Sequence, residues 1–358
     1  MRAARVDRLP MSGPADVSAI AALLRSGDVP ADSVVAILGK TEGNGCVNDF
    51  TRGYAVQSLR ALLAGYLDAA QLDRVSMVMS GGTEGGLSPH WIVFSETDAP
   101  ATPDPALAVA SVATPGLSPT EIGREAQAGY VRDAVHRAMA QAGIASPEDV
   151  HYVQIKCPLL TSERIAAVSG DVAVQDTLKS MGLSRGASAL GVALALGEVQ
   201  TVTDAMIGTD GGQWSSRASA SAGIELMSCE VVVLGMSRDW AGPLGITHSV
   251  MRDAIDAVSI QSLLAQIAPD AGLQASQDQL VAVLAKAEAS PDGVIRGRRH
   301  TMLDDSDISS TRHARGFVGG VLAVLTGMTD LFVSGGAEHQ GPPGGGPLAI
   351  IYRKETNI

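Results

Sequence analysis

Three copies of one short kernel, Ser-small-Gly-x-Glu, constrain this chain more than any other feature. They are Ser80-Gly81-Gly82-Thr83-Glu84, Ser221-Ala222-Gly223-Ile224-Glu225 and Ser334-Gly335-Gly336-Ala337-Glu338. A single copy would be noise in a chain with 40 glycines. Each copy, however, follows an Arg-Gly pair (Arg52, Arg185, Arg315), and each Arg-Gly follows a lysine (Lys40, Lys156, Lys286). The same order three times points to an internal triplication.

At 358 residues the chain divides into units of about 120 residues, an ordinary domain size. We expect units at 1–104, 105–240 and 241–358. Apolar runs at 34–38, 150–155 and 280–285 read as strands that end in the lysines. Helical patterns follow, opened by Arg52, Arg185 and Arg315. The runs 75–79 and 331–333 deliver the first and third serines. Ser221 follows a polar, Gly-rich insertion at 208–216 instead. Closing strands are expected at 91–94, 230–234 and 348–352, and a linker at 95–105. Each unit also begins with a strand and a helix, so its order is β-α-β(Lys)-α(Arg)-β(Ser)-β. The fold class expected is α/β, built from three α+β units that pack sheet to sheet around a common axis.

Composition narrows the function classes. Hydrophobic residues make up 46% and charged residues 18%, as in a well-buried globular protein, and with only 3% aromatics the core must be Ala, Val, Leu and Gly. The net charge of −12 argues against nucleic acid or an anionic membrane as partner. Three scattered cysteines with no CxxC exclude a disulfide framework and fit a reducing cytoplasm. The N-terminal stretch has no apolar h-region, so no signal peptide is expected. The apolar run 316–333 is interrupted by Thr326, Thr329 and Asp330 and reads as a buried helix running into a buried strand. Gly39-Lys40-Thr41 lacks the upstream glycine of a P-loop, and the seven histidines show no HExxH spacing.

The sharpest chemical signal is the scarcity of lysine. There are five lysines against 21 arginines, and three of the five hold the equivalent strand end in each unit. A desolvated lysine can lose its proton, whereas arginine keeps it. A neutral lysine beside a serine forms a nucleophile and base pair. The small residue after each serine (Gly81, Ala222, Gly335) leaves a backbone N–H free to face an oxyanion. The arginines, expected at helix starts, would bring guanidinium groups and helix N-termini to the same axis, suited to a planar, carbonyl-rich ligand. The competing reading is that these residues only cap strands and helices. Its repetition in three units in the same order weighs against it. Ser219, two residues before Ser221, competes with it as nucleophile.

The motifs GKTEGNGCVNDFTRGYA, SGGTEGG, IKCPLL, SRGAS, SSRASASAGIEL, AKAEA, ARGF and SGGAEHQGPPGGGP resemble those of the cyanuric acid hydrolase/barbiturase family, from Gly39 to the C-terminus. The resemblance implies three similar domains in pseudo-threefold arrangement around one central site, and hydrolytic opening of a small planar cyclic amide. It makes Ser221 the nucleophile and Lys156 its base. Lys40, Arg52, Ser80, Gly81, Arg185, Ala222, Lys286, Arg315, Ser334 and Gly335 would then bind substrate. It implies no cofactor for catalysis, but a structural Mg2+ or Ca2+ held by Glu288 and by Ala337, Gln340, Gly341, Pro342 and Gly345, and a homotetramer. Spacing alone reads 337–345 as an ordinary turn. The expected reaction is opening of cyanuric acid to carboxybiuret, which yields biuret and CO2. Barbituric acid hydrolysis and a non-catalytic binding protein for cyclic imides stand as alternatives.

Overall fold

The computed structural model describes residues 1–209, 212–268 and 278–354. Asp210 and Gly211 of the expected insertion lie outside the described residues. The chain runs through one element order three times. First come β1 (Arg2–Pro10), α1 (Ser18–Arg25), β2 (Val34–Thr41), α2 (Phe50–Leu63), β3 (Ser76–Gly81) and β4 (His90–Asp98). Then follow β5 (Ala106–Ala113), α3 (Glu125–Ala142), β6 (Val150–Pro158), α4 (Thr177–Ala195), β7 (Ala218–Gly223) and β8 (Glu230–Ser237). A short β9 (Trp240–Ala241) leads to β10 (Leu244–Met251), α5 (Ala257–Ile267), β11 (Leu280–Ala287), α6 (Ser310–Thr326), β12 (Phe332–Gly335) and β13 (Gly346–Arg353).

These strands form three sheets of the same order: β3-β2-β4-β1, β7-β6-β8-β5 and β12-β11-β13-β10. In each, the lysine strand pairs with the serine strand in parallel, because a helix carries the chain back across the sheet between them. The registers are equivalent as well: Lys40 lies opposite Ser80, Lys156 opposite Ser221 and Lys286 opposite Ser334. The serine thus stands beside the lysine by strand geometry alone, at the carboxyl end of parallel strands where α/β sheets place their ligands. β9 joins the first sheet as an extra edge strand, parallel to Arg2 and Ala3.

The sheets face one another across a shared core. Ala36, Leu38 and Phe94 of the first sheet, Val153, Val231 and Val233 of the second, and Ala282, Leu284 and Phe332 of the third belong to one buried cluster. Their neighbours along the strands point outward under helices, as the two-residue period requires. Ile37, Met79 and Trp91 meet α1 and α2, while Val283, Val333 and Ile350 meet α5 and α6. Burial on both faces explains why these strands read as continuous apolar runs rather than alternating ones.

Two sequence expectations change. The arginines do not open their helices. Asp49 caps α2 through Thr51 N, Asp176 caps α4 through Lys179 N, and Ser309 precedes α6. Arg52 therefore sits in the first turn, but Arg185 and Arg315 lie further inside α4 and α6, beyond the helix N-termini. The segments ahead of them carry no proline and start at residues suited to N-caps, so the helices begin earlier than the Arg-Gly pairs. The linker is also shorter than 95–105, because β4 continues to Asp98, opposite Arg2 of β1.

Candidate active site

The three serine-bearing strands converge on one cavity lined by Gly45, Arg52, Ser80, Gly81, Met181, Arg185, Ser221, Ala222, Arg315, Ser334 and Gly335. Lys40, Lys156 and Lys286 lie beneath it, each fully buried. Their amines are held by a cyclic exchange between sheets. Lys40 Nζ donates to Val333 O at 2.5 Å, Lys156 Nζ to Met79 O at 2.9 Å and Lys286 Nζ to Ala220 O at 2.8 Å. Each acceptor is the carbonyl just before a serine of the adjacent sheet.

The lysines differ in their second partner. Lys40 Nζ reaches Ser80 Oγ at 3.3 Å, and Lys286 Nζ reaches Ser334 Oγ at 3.2 Å. Lys156 makes no hydrogen bond to Ser221 among the described residues. Its amine lies 2.8 Å from Glu225 Oε1, an ion pair without hydrogen-bond alignment. Ser221 Oγ instead sits 2.9 Å from Ser334 Oγ. Burial, and after it the Arg315 cation, push Lys40 well below the ordinary lysine range. Burial and Arg185 bring Lys286 down to about 7. Burial lowers Lys156 too, with Glu225 opposing the shift. Ser219 is fully buried but does not line the cavity, and its Oγ has no partner among the described residues.

Sequence reading left the closing glutamate of each kernel without a role. Arg315 Nε and Nη2 donate to Glu84 Oε1 at 2.8 and 2.5 Å. Arg185 Nε and Nη2 donate to the two Glu338 oxygens at 2.7 and 2.6 Å. Burial works against the Glu338 carboxylate, but Arg185 outweighs it and holds the group down at about 2. Forked pairs of this kind lock the guanidinium plane, so these glutamates aim the arginines that line the cavity. The signal was present, since glutamate is the last letter of the repeated kernel. Arg52 departs from the pattern: it donates to Ala222 O at 3.1 Å and Cys46 O at 2.6 Å, and its Nε has no partner among the described residues.

Asp49 was also missed. Its carboxylate takes Gly45 N at 2.7 Å and Thr51 N at 3.0 Å, tying the loop over the cavity to the start of α2.

Beside the third sheet, Glu288 is half-buried and accepts from Ala337 N. Burial and the neighbouring Glu338 push it up to about 7. Together with Ala337, Gly341 and Pro342 it lines a small pocket. The Gln340 side chain does not point free there: Oε1 accepts from Ala220 N, and Nε2 donates to Gly336 O and Glu338 O. Gly345 closes the loop by donating to Pro342 O. No group of three or more His, Cys, Asp or Glu side chains suited to a metal occurs among the described residues. Part of the 208–216 insertion docks on this loop, with Ser215 N donating to His339 O and Gly341 N to Ser215 O.

Comparison with known proteins agrees with the motif resemblance. Residues 5–353 match the model of the family described as amidohydrolase ring-opening protein. The cyanuric acid amidohydrolase of Methylobacterium sp. (strain 4-46) is 58% identical, with 99% of this chain and 98% of that protein covered. The one from Azorhizobium caulinodans is 56% identical, with 98% of each covered. The crystal structure of the cyanuric acid hydrolase from A. caulinodans superposes with a TM-score of 0.94 at 55% identity, covering 99% of this chain and all of that one. A second cyanuric acid hydrolase structure, described as an innovation by structural concatenation, gives 0.93 at 48% identity, with 99% of this chain and 100% of that one covered. With three like sheets closing on one Lys, Arg and Ser cavity, and end-to-end similarity to these enzymes, the chain belongs to the family of ring-opening amidohydrolases.

Proposed function

We propose that this chain hydrolyses cyanuric acid, opening its ring to carboxybiuret, which loses CO2 to give biuret. The observation that carries the proposal is the match of symmetries. Three equivalent sets of lysine, arginine and serine surround one cavity, and cyanuric acid alternates three carbonyls with three N–H groups. Barbituric acid replaces one N–H with a methylene and breaks that match. High identity to enzymes named for cyanuric acid supports the same choice over a binding protein without turnover.

In this reading Ser221 Oγ attacks one ring carbonyl carbon while its proton passes to neutral Lys156. The backbone N–H after the serine faces the developing oxyanion. As the C–N bond breaks, the ring nitrogen takes that proton from Lys156. Water then attacks the acyl-serine and gives a proton to Lys156, which passes it to Ser221 Oγ as the acyl C–O bond breaks, releasing the opened product and restoring the serine. Lys40 with Ser80, Lys286 with Ser334, and the three arginines hold the other two carbonyls and any ring anion. The choice of the second pair follows the family resemblance. The carboxylate on Lys156, which neither other lysine has, supports it.

A structural Mg2+ or Ca2+ belongs to the same proposal. The chemistry fits a hard cation: a half-buried carboxyl on Glu288, raised in pKa and facing a second carboxylate, beside carbonyl-rich Pro-Gly backbone. Glu288 and backbone oxygens of Ala337, Gly341, Pro342 and Gly345 would hold it. Gln340, whose amide is engaged elsewhere, would contribute only its carbonyl. The cation would neutralise the half-buried carboxylates and pin the loop. A homotetramer, implied by the resemblance, and a cytoplasmic location, expected from the cysteines, complete the reading. No helix among the described residues is long and apolar enough to cross a membrane.

Separate incubations with cyanuric and barbituric acid test the substrate, and turnover of neither sinks the enzyme reading. Ser221→Ala should abolish turnover, while Ser80→Ala and Ser334→Ala raise KM. Full activity in Ser221→Ala overturns the assignment.

A further inference from the structure

The glutamates of the three kernels occupy equivalent sequence positions, yet only two behave alike. Glu84, in the first sheet's kernel, pairs with Arg315 of the third; Glu338, in the third, pairs with Arg185 of the second. The cyclic rule sends Glu225 to Arg52 of the first sheet. It goes instead to Lys156 of its own sheet, at 2.8 Å, and Arg52 turns to backbone carbonyls. The exchange is complete on the lysine side as well. The two lysines without a carboxylate bond their serines, and the one with a carboxylate does not.

The chain is shaped for this contact. A Cβ on Gly223 would stand 2.1 Å from Glu225 Oε2, so glycine is what lets the carboxylate fold back over the strand end. The pair is nearly dry, with side-chain exposures of 1% for Lys156 and 12% for Glu225. A charge pair in so dry a place is held strongly enough to decide where a proton rests.

We propose that Glu225 is the positioning residue of the reaction: it holds the Lys156 ammonium off Ser221 in the resting enzyme and takes its proton when substrate enters, leaving the neutral amine that Ser221 needs. This rests on Ser221 and Lys156 being nucleophile and base. The resting pair is ammonium and carboxylate. A small rotation of the amine aligns an N–H with the carboxylate, and one proton moves from Nζ to Oε1, giving amine and carboxylic acid with no change in net charge. The amine then accepts the Ser221 proton as the Oγ–C bond forms, and passes it to the ring nitrogen as the C–N bond breaks. After deacylation Glu225 returns its proton to Lys156.

Other charged or titratable groups face the pair. Arg52 of α2 and Arg164, on the short helix Ser162–Ala166 after β6, favour the Glu225 carboxylate. Glu230 of β8, opposite Lys156 in register, is pushed up to about 7 by burial, and Cys157 adjoins Lys156 in the chain. All of these remain in a Glu225 variant, so a change there reports on Glu225 itself. Burial lowers Lys156 and Glu225 raises it. Removing the carboxylate must therefore make the amine lose its proton at lower pH.

The test is the pH dependence of kcat/KM on cyanuric acid for the full-length enzyme, Glu225→Gln, Glu225→Asp, Glu84→Gln and Ser221→Ala. An opposite charge at this distance shifts a pKa by about 1–3 units. The acid limb should therefore move about one pH unit or more lower in Glu225→Gln and by less in Glu225→Asp. Glu84→Gln, which loosens Arg315 and acts on Lys40 but not on Lys156, should raise KM and leave the limb in place. An unmoved limb in Glu225→Gln with Ser221→Ala inactive overturns the role of Glu225 and spares the dyad. Turnover in Ser221→Ala overturns both. If Glu225→Gln does not fold, Glu225→Asp decides, and an unmoved limb there refutes the proposal.

Discussion

Gly81→Ala tests whether the small residue after each serine is a packing requirement or an accident of repetition. A Cβ at position 81 would stand 1.8 Å from Asp49 Oδ2, and 3.1 Å from Gly45 N. Asp49 cannot yield cheaply, because the same carboxylate caps α2 and holds Gly45 and Thr51. Displacing it costs a helix N-cap, about 1 kcal/mol, in addition to the overpacking itself, about 1–3 kcal/mol. The site-competent arrangement is then disfavoured by about 2–4 kcal/mol, since α2 carries Arg52 and the Gly45 loop lines the cavity. At 1.4 kcal/mol per factor of ten, kcat/KM for cyanuric acid should fall by tens- to several-hundred-fold. Ala222→Gly, which removes a methyl at the equivalent position of the second sheet, should cost much less. Loss of cyanuric acid and appearance of biuret follow the rates, and urea midpoints follow the folding cost. A Gly81→Ala enzyme with wild-type kcat/KM and an unchanged midpoint would show that Asp49 has room the geometry denies it.

Asp256 carries a stability prediction with a defined pH sign. Its buried carboxylate, bonded first to Arg252 and then to Ser259 at the start of α5, is held well below the usual carboxylate range. Its contribution is fully present above the unfolded-state pKa near 3.9 and fades as pH falls through the lower folded value. Asp256→Ala should cost about 1–2 kcal/mol at pH 7, and the gap to wild type should shrink below about pH 4 in urea titrations. Dialysis against a chelator should lower the thermal midpoint if a divalent cation pins the 337–345 loop, and Mg2+ or Ca2+ should restore it. Glu288→Gln should make the midpoint insensitive to either treatment, and a wild-type midpoint indifferent to chelator refutes the metal site.

The sheets were legible because both faces of each central strand are buried, so 34–38, 150–155 and 280–285 appear as unbroken apolar runs ending in rare lysines. Parallel pairing then fixed each serine beside its lysine with little more information. Helix starts were less legible. Arg-Gly is a visible repeat, but the caps are Asp49, Asp176 and Ser309, and only one of them lies close to its arginine. Least legible were contacts between sheets. Nothing in the local pattern says that Glu84 reaches Arg315 or that Glu338 reaches Arg185, because those pairs depend on the cyclic order of the sheets. The backbone acceptors of the lysines carry no side-chain signature at all. Glu225 was visible as a letter of the kernel, but its exception is visible only once the rule followed by the other two is known.

The ring of lysine-to-carbonyl bonds has a consequence for how the protein comes into being. A chain emerging from the ribosome can form the bond from Lys156 to Met79 O early and the bond from Lys286 to Ala220 O late, but Lys40 waits for Val333 O. The first lysine made is the last to be satisfied. Until β12 has been synthesised and docked, a buried amine near the N-terminus has Ser80 Oγ but lacks its carbonyl acceptor, so a product stopped short of Val333 forfeits the whole cavity rather than a third of it.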